Sequence, residues 1–417
     1  MSRFPKILLL SPTIPATGNT STISRLHNHF YMNNIDAVVH DISKCSQCEF
    51  SCLVKKVNSL IVELSVSQII ILHAYKSGIF VVCSCGNNCR TAVKYGIVYG
   101  GTDLNIDVNN VKNRAVIKEA IMNAHFTVAF TEDMQQIVKS ICPNSKVLVH
   151  PQCLDYNLFK QCKVEELTPK TKQAVDVMFS KPLIFVVASS LRNVKDPLYV
   201  AQNFLKWKCT LHPKKDVRLL ILGAVADPVF AVEFFRKLLL FQKLSDVSTT
   251  STLCCDGPVS QVSVALAPNI TKACPPVACD VDADLVVSWI NDPGGATVQF
   301  IPAVSQPQFL EYCSRGLFYA LVNTSKSEGM ASSILEAMGM GVPVIVRDIP
   351  GNRAVVKDKW NGLLFSSPEE FISNAQRLLD SPQLGLELAL NAKNYILNNH
   401  SPYQEAKFYI NLVRDIL

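Results

Sequence analysis

Two carboxylates, Glu328 and Glu336, stand in a run that reads Lys-Ser-Glu-Gly-Met-Ala-Ser-Ser-Ile-Leu-Glu over residues 326–336. The apolar residues before this run predict a strand that ends near Ser325, and the run itself predicts a helix that begins near Ala331. Free N–H groups at a helix start bind anions and hydroxyl oxygens, and a carboxylate accepts protons from two neighbouring hydroxyls. The pair therefore suits one extended ligand, such as a sugar joined to a ribose. The alternative is that Glu328 only caps the helix and that Glu336 is a solvated helix position.

Two cations, Arg192 and Lys195, follow a predicted strand in the order Leu-Arg-Asn-Val-Lys-Asp-Pro. Cations fixed at the end of a strand would stabilise the charge that develops on a diphosphate when a sugar–phosphate bond breaks. Asp196 and Pro197 predict that a helix begins directly after the cations. No Asp-x-Asp pair lies near these residues to carry Mg²⁺ or Mn²⁺, so we expect neither a metal nor another cofactor at the site. The alternative is that both cations are ordinary surface residues.

Short apolar, β-branched runs alternate with helical patterns along most of the chain, which is typical of parallel sheets buried on both faces. In the N-terminal part, strands are predicted at Lys6–Ser11, Ala37–His40, Gln68–His73, Tyr95–Tyr99, Phe126–Phe130 and Lys146–His150. The pattern then restarts, with strands predicted at Pro182–Ser189, Arg218–Gly223, Thr297–Ile301, Tyr319–Asn323 and Val342–Val346. Helices are predicted between them, among others at Arg25–Asn33, Arg114–Ala124, Asp133–Cys142, Asp196–Trp207 and Ser332–Met340.

This restart predicts an α/β fold with two doubly wound, Rossmann-like domains that face each other across a cleft. We expect the first domain over residues 1–160 and the second over residues 174–395, joined by a polar linker over residues 159–173. Residues 396–417 are expected to form a helix that packs back towards the N-terminal domain. Residues 244–296 have no clear period, so we expect a partly disordered insertion without catalytic residues.

The sequence motifs resemble those of the retaining, family-4 type glycosyltransferases, known as glycosyl transferases group 1. The run 326–346 resembles the Glu-x7-Glu signature of that family, because the Ser-Glu-Gly turn, the small-residue helix and the Gly-Val-Pro-Val-Ile strand occur in order. Residues 189–197 resemble its Arg-x2-Lys element, and residues 151–155 resemble its Pro-Asn-Gly-Val-Asp hinge with Cys153 in the glycine position. The resemblance implies the GT-B architecture. It also implies transfer, with retained anomeric configuration, of a sugar from a nucleotide-diphosphate sugar to an acceptor.

The same resemblance implies roles for single residues of the C-terminal domain. Glu328, with the backbone of Gly329 and Met330, would hold the hydroxyls of the donor sugar, and Glu336 would hold the ribose. Ser327, in the same turn, is also expected to bind the donor. Arg192 and Lys195 would grip the donor diphosphate.

The N-terminal domain is expected to supply the acceptor side of the cleft. By the resemblance, the loop at Gly18, in Thr-Gly-Asn-Thr after the first strand, would approach the diphosphate or the acceptor. Asp103 ends the sequence Tyr-Gly-Gly-Thr-Asp after another strand and is our candidate for acceptor binding or proton handling. Many relatives carry a histidine near this position, whereas this chain does not.

The composition and net charge of the chain limit the classes of binding partner that we expect. A chain of 417 residues with 48% hydrophobic residues can bury two cores, and its net charge of +6 suits a polyanionic small ligand. No Lys/Arg-rich run, zinc-finger or RNP-type pattern is present, so nucleic acid is not an expected partner. No apolar run approaches the roughly 20 residues of a membrane helix, and the short run Ile7–Leu10 reads as the first strand rather than a signal peptide.

Fifteen cysteines include two local clusters, Cys45/Cys48/Cys52 and Cys83/Cys85/Cys89. The Cys-x2-Cys unit has no second unit at the spacing of a structural zinc site, so we interpret the clusters as reduced thiols, with zinc as the alternative. Reduced thiols indicate the cytoplasm as the compartment, with secretion as the alternative.

The sequence keeps a second function class open beside the enzyme. A catalytically inactive sugar-nucleotide binding or scaffold protein would fit the missing histidine, the insertion and Cys153. A sugar-nucleotide 2-epimerase would need further acid–base carboxylates and histidines in the N-terminal part of the cleft, and none is identified. The donor base and sugar, the acceptor and the oligomeric state are left open.

Overall fold

A computed structural model describes residues 6–13, 18–43, 50–85, 93–164, 182–211, 215–247, 284–292 and 295–415 of the chain. Residues 248–283 of the predicted insertion and residues 165–173 of the predicted linker lie outside the described residues, as do residues 174–181. The side chains of both cysteine clusters also lie outside them. Five other cysteines, Cys142, Cys153, Cys162, Cys209 and Cys313, are free thiols.

The N-terminal domain is built on a six-stranded parallel sheet in the order β2-β1-β3-β4-β5-β6. Its strands are β1 Ile7–Ser11, β2 Ala37–Asp41, β3 Gln68–Leu72, β4 Lys94–Val98, β5 Phe126–Ala129 and β6 Val147–Val149. Strands β1 and β3 are buried along their whole length, as the apolar runs predict for a sheet covered on both faces. The helices of this part are Gly18–Met32, Phe50–Glu63, Gly78–Cys85, Gly101–Asn105, Val111–Asn123, Glu132–Ile141 and Tyr156–Val164.

The C-terminal domain repeats this plan with a second six-stranded parallel sheet in the order β12-β11-β10-β7-β8-β9. Its strands are β7 Leu183–Ala188, β8 Val217–Gly223, β9 Val298–Pro302, β10 Ala320–Asn323, β11 Val344–Arg347 and β12 Leu363–Phe365. Its helices are Ala201–Thr210, Pro228–Val247, Asp284–Asn291, Gln306–Ser314, Ser332–Gly339, Pro350–Arg353, Pro368–Asp380, Pro382–Asn399 and Pro402–Arg414.

The strand orders fix where a ligand can bind. In the C-terminal sheet the order reverses between β7 and β10, which are neighbours in space although distant in sequence. In the N-terminal sheet it reverses between β1 and β3. Ligands of doubly wound folds bind beyond the carboxyl ends of the strands at such a reversal. The predicted α/β, GT-B architecture with two Rossmann-like domains is confirmed.

The predicted helix Asp196–Trp207 is wrong at its start. Asn193–Lys195 forms one 3-10 turn, and Asp196 adopts a left-handed backbone with φ 45°. The α-helix begins only at Ala201. The Asp196 carboxylate does not cap a helix, because it pairs with the guanidinium of Arg347 at 3.3 Å. The two cations therefore lie on a tight turn rather than on a helix.

The predicted bounds of the insertion, residues 244 and 296, are wrong at both ends. Helix Pro228–Val247 extends into the segment from one side. From the other side, helix Asp284–Asn291 buries Val286 and Ile290 in the core. Apolar residues at helical spacing in these stretches are part of the domain. The predicted linker likewise begins too early, because Tyr156–Val164 is helical.

The last helix, Pro402–Arg414, contacts the N-terminal domain. The Nε2 of Gln68 donates to the carbonyl of Val413 at 2.7 Å, and the helix packs along Gly18–Met32. Among the described helices, none combines the length and hydropathy that crossing a bilayer requires.

A buried ionic cluster lies where this last helix, helix Gly18–Met32 and the hinge meet. Glu405 accepts hydrogen bonds from Arg25 Nε at 2.7 Å, from His29 Nε2 at 2.6 Å and from the Cys153 thiol at 2.9 Å. Burial opposes ionisation of Glu405, but Arg25 and His29 outweigh it and hold its pKa well below the usual range. Burial also raises the pKa of the Cys153 thiol, which therefore stays a neutral donor. Because Arg25 already neutralises Glu405, we interpret these groups as an interdomain ion pair rather than as metal ligands.

We expect Glu405→Gln to lower the free energy of unfolding by about 3–5 kcal/mol, because Arg25 would stay buried without its counter-charge. Urea denaturation at pH 7 measures this, with the exposed Glu311→Gln as a control that should change stability by less than about 0.5 kcal/mol. The folded-state pKa of Glu405 lies below its unfolded value. Its contribution is therefore present above about pH 4.3 and is lost as the pH falls further. Equal stability of Glu405→Gln and wild type would contradict a structural role for the cluster.

Candidate active site

Two adjoining cavities, of about 110 and 220 Å³, occupy the cleft between the domains. They lie beyond the carboxyl ends of β7 and β10 on one side and of β1, β3 and β4 on the other. The walls contain eight of the nine residues that the sequence analysis proposed, namely Gly18, Arg192, Lys195, Ser327, Glu328, Gly329, Met330 and Glu336. The structure thus brings together residues from positions 18 to 336 of the chain.

Glu328 and Lys195 form an ion pair in the wall that the two cavities share. The Lys195 ammonium donates to both carboxylate oxygens, at 2.5 and 2.6 Å. Ser325 Oγ donates to the same carboxylate at 2.6 Å and Asn323 Nδ2 at 3.3 Å. Although burial raises it, the pKa of Glu328 is held below its usual value by Lys195 and these two donors. The carboxylate is therefore ionised at neutral pH and has a fixed orientation.

The turn that carries Glu328 is contacted by residues of the N-terminal domain. Asn105 Nδ2 donates to the carbonyl of Glu328 at 3.2 Å, and Gln152 Nε2 donates to the carbonyl of Met330 at 3.3 Å. The backbone of the N-terminal domain also approaches closely, since a Cβ atom on Gly101 would lie 2.3 Å from the nitrogen of Gly329. This approach requires glycine, so the two domains meet at the residues proposed to bind the sugar.

Arg192 is half-buried in both cavity walls, and its Nε donates to Ser190 Oγ at 3.0 Å. Burial lowers the pKa of its guanidinium while the charge of Glu328 opposes that shift, and arginine remains charged in either case. Lys195 donates to both carboxylate oxygens of Glu328, and its ammonium group has a third N–H. Two cations, Arg192 and Lys195, therefore lie in the wall that the two cavities share.

Glu336, on helix Ser332–Gly339, lines the larger cavity but not the smaller one. Its carboxylate accepts from Gln306 Nε2 at 2.6 Å. Burial raises the pKa of Glu336 to about 7, so the carboxyl changes charge near neutral pH. Glu328 and Glu336 thus differ in charge state as well as in position. An extended ligand can contact both carboxylates.

Gly18 is the first residue of helix Gly18–Met32, is exposed, and lines both cavities. A Cβ atom at this position would meet nothing within 4 Å, so the space beside the helix start is open. Gly18 and Arg192 line the same two cavities, so the helix start and this cation border one space.

Asp103, proposed for acceptor binding or proton handling, does not fit that role. Its side chain has 0% exposure and is absent from the walls of both cavities. Its carboxylate accepts from the backbone amides of Ala74 at 2.7 Å, Gly100 at 3.1 Å and Leu104 at 3.0 Å. Burial raises its pKa to about 7 against these three donors. Asp103 is a structural residue that holds two strand ends together below the cleft.

Sequence reasoning missed several polar residues of the N-terminal wall. Asn19, Lys76, Thr102 and Gln152 line the smaller cavity, and His73 lies directly behind Thr102. His73 follows β3, which is the neighbour of β1 in the sheet. The position after β3 becomes a candidate only once this strand order is known.

Comparison with known proteins identifies the family. Residues 292–395 match the family model described as glycosyl transferases group 1. Over 415 residues the chain is 31% identical to a Xenopus tropicalis protein called glycosyltransferase 1 domain-containing protein 1, covering 99% of this chain and 98% of that protein.

Solved structures show the same fold over the whole chain. Sucrose-phosphate synthase from Thermosynechococcus elongatus has a TM-score of 0.70 at 13% identity, covering 99% of each chain. Anabaena HepE, solved in complex with UDP-glucose, has a TM-score of 0.65 at 14% identity, covering 98% of this chain and 99% of that one. At such identities the likeness shows the fold alone. Together with the similarity across the full length of the Xenopus protein and the matched C-terminal motif, it leads to one conclusion: the chain belongs to the glycosyl transferases group 1 family.

Proposed function

We propose that this protein is a retaining glycosyltransferase that moves a sugar from a nucleotide-diphosphate sugar to an acceptor. The observation that carries the proposal is the convergence of Arg192, Lys195 and Glu328 at the strand reversal of the C-terminal sheet. Two cations suit the diphosphate, and an ionised, fixed carboxylate suits the hydroxyls of the sugar. The similarity in fold to HepE, a protein that binds UDP-glucose, supports a donor of this class.

The two cavities suggest how the donor lies. We place its nucleoside in the larger cavity with the ribose at Glu336, and its sugar beside Glu328 against the N-terminal wall. The diphosphate then lies between them at Arg192 and Lys195, which line both cavities. When the bond between the anomeric carbon and the diphosphate oxygen breaks, the electron pair stays on that oxygen. The two cations stabilise the resulting charge without a metal ion.

The retained configuration rests on the Glu-x7-Glu resemblance of Glu328 and Glu336. The acceptor would enter from the N-terminal wall, where Lys76, Thr102 and Asn19 face the smaller cavity.

One observation favours the second candidate, an inactive sugar-nucleotide binding protein. With Asp103 buried, the described N-terminal residues that line the smaller cavity include neither a carboxylate nor an imidazole. A transferase that needed a base from this domain would be incomplete. Turnover of the donor distinguishes the two candidates, whereas binding alone does not.

A thermal-shift panel of UDP-glucose, UDP-N-acetylglucosamine, GDP-mannose and ADP-glucose tests the donor class. A ligand at 100 times its Kd should raise stability by about 2.7 kcal/mol through mass action. The corresponding rise in Tm is several degrees. A melting temperature that none of the four donors raises would contradict the proposal.

Glu336→Gln should weaken binding of the selected donor about tenfold at pH 8, because the charge-assisted hydrogen bonds to the ribose are lost. In the wild type, affinity should rise between pH 6 and pH 8 as the carboxyl with a pKa of about 7 ionises, and in the variant it should stay flat. Isothermal titration at several pH values measures both effects. The matched control is Glu387→Gln, an exposed helix position outside the cleft. Equal pH profiles for wild type and Glu336→Gln would remove the ribose assignment.

A further inference from the structure

The N-terminal wall contains a hydrogen-bonded pair, His73 and Thr102, to which the proposed function assigns no contact with the donor. Thr102 lies in the wall of the smaller cavity, half-buried, at the second position of helix Gly101–Asn105. His73 lies behind it with 0% exposure, and its Nε2 is 3.0 Å from Thr102 Oγ1. A buried imidazole behind an accessible hydroxyl controls the direction in which that hydroxyl can donate.

The partners of His73 assign its tautomer. The backbone N–H of Lys76 donates to Nδ1 at 3.2 Å, so Nδ1 carries no proton. In the neutral ring the proton then sits on Nε2, which donates to Thr102 Oγ1, with the Asp107 carboxylate 3.5 Å away on the same side. Burial, followed by the charge of Lys76, lowers the pKa of His73 to about 3, so the ring stays neutral at physiological pH.

Because His73 Nε2 donates to Thr102 Oγ1, the Thr102 hydroxyl keeps its own proton to donate to another group. Because one lone pair of Oγ1 is taken by His73, the proton points away from the imidazole, and the open side of Thr102 is the cavity. Thr102 Oγ1 has no other hydrogen-bond partner among the described residues. His73 adopts φ 80°, an uncommon backbone for a non-glycine residue, directly after β3, and its ring is hydrogen-bonded at both nitrogens.

The position of Thr102 selects the sugar of the donor as its partner. The preceding residue, Gly101, packs against the backbone of Gly329 in the turn that carries Glu328. Thr102 and Glu328 therefore face the same small cavity from opposite domains. We propose that the Thr102 hydroxyl, aimed by His73, donates a hydrogen bond to an oxygen of the donor sugar on the side opposite Glu328. This inference rests on the proposed function, and it makes Thr102 a sugar-binding residue and His73 its positioning residue.

Thr102→Val and Thr102→Ser test the contact with the sugar. Isothermal titration gives the Kd of UDP-glucose and of UDP, and of GDP-mannose and GDP, for each protein. The Kd of the nucleoside diphosphate divided by the Kd of its nucleotide sugar gives the contribution of the sugar to binding. Thr102→Val should reduce this ratio about fivefold to tenfold and leave the Kd of the nucleoside diphosphate unchanged, as the loss of one hydrogen bond implies. Thr102→Ser keeps the hydroxyl and should stay within about twofold of the wild type.

His73→Asn and His73→Gln test the positioning role. Asparagine tolerates positive φ and can still accept from the Lys76 amide, but it is too short to reach Thr102. Glutamine extends far enough to donate to Thr102. His73→Asn should therefore reduce the same ratio of dissociation constants about threefold to tenfold, and His73→Gln should keep it near the wild-type value. The Kd of UDP should be unchanged in both variants. Melting temperatures confirm that all four variants fold.

The outcomes separate this inference from the proposed function. Wild-type protein that binds neither nucleotide sugar nor nucleoside diphosphate contradicts both. Wild-type protein that gains affinity from the sugar, combined with an unchanged gain in Thr102→Val, overturns the sugar contact alone. A variant that binds donors normally but loses only transfer to an acceptor would assign the hydroxyl to the acceptor instead, and would also overturn the proposal. Equal reductions of the ratio of dissociation constants in His73→Asn and His73→Gln would contradict the positioning role of His73.

Discussion

Replacement of both Arg192 and Lys195 by methionine should slow single-turnover transfer by about 1000-fold and weaken donor binding by only about tenfold. The reason is that the charge on the diphosphate grows as the sugar–phosphate bond breaks, so fixed cations act more strongly on the transition state than on the bound donor. Both side chains line both cavities, and methionine preserves most of their length. Rapid-quench measurement of nucleoside diphosphate release at saturating donor gives the rate, and titration gives the affinity.

Lys326→Met is the matched control for this double variant. Lys326 is an exposed cation nearby, bonded to Asn193 at 2.9 Å and outside the cavity walls, so its loss should change the rate less than about twofold. A double variant as fast as wild type at saturating donor would remove the leaving-group role of the two cations. A pure binding protein has no such rate to lose.

Glu328→Gln should lower the transfer rate at least about 100-fold while the fold stays intact. The neutral amide loses the charge-assisted hydrogen bonds to the sugar hydroxyls, each worth about 1.5–3 kcal/mol, and it releases Lys195 from its fixed position. Because the pKa of Glu328 is depressed, the wild-type rate should not fall through this group until the pH drops below about 4.3. Single-turnover rates of wild type, Glu328→Gln and the exposed control Glu387→Gln measure the effect. Wild-type turnover in Glu328→Gln would contradict the assignment.

The pattern of apolar runs predicted most of the fold because each buried parallel strand needs apolar residues on both faces. All eleven predicted strands exist, with ends shifted by a few residues. The twelfth, Leu363–Phe365, has only three residues and was not predicted. The start of the helix after Lys195 was also wrong. An Asp-Pro pair indicates a helix start only when the aspartate is free to cap it, and here Asp196 pairs with Arg347.

Residues of the candidate site could be predicted where a motif fixes their local geometry. Glu328 and Glu336 belong to one turn and helix, and Arg192 and Lys195 belong to one turn, so the resemblance of these two local motifs to a known family was enough to propose them. Asp103 shows the limit of this reasoning. Whether a carboxylate at a strand end faces the cleft or the amides below it depends on the neighbouring strand, whose Ala74 amide turns Asp103 inward. His73 was missed for the same reason.

Time-resolved proton NMR of the sugar released from an α-linked donor that binds, in the presence of EDTA, tests the central claim most directly. The measurement follows the anomeric signal of the first sugar to appear, with water or added acceptor as the nucleophile. We predict that the α-anomer appears first, that EDTA has no effect because Arg192 and Lys195 supply the positive charge, and that Glu328→Gln releases almost none. A donor that binds but is never consumed, a first product with the β configuration, or release that requires added Mn²⁺ would contradict a retaining, metal-independent transferase.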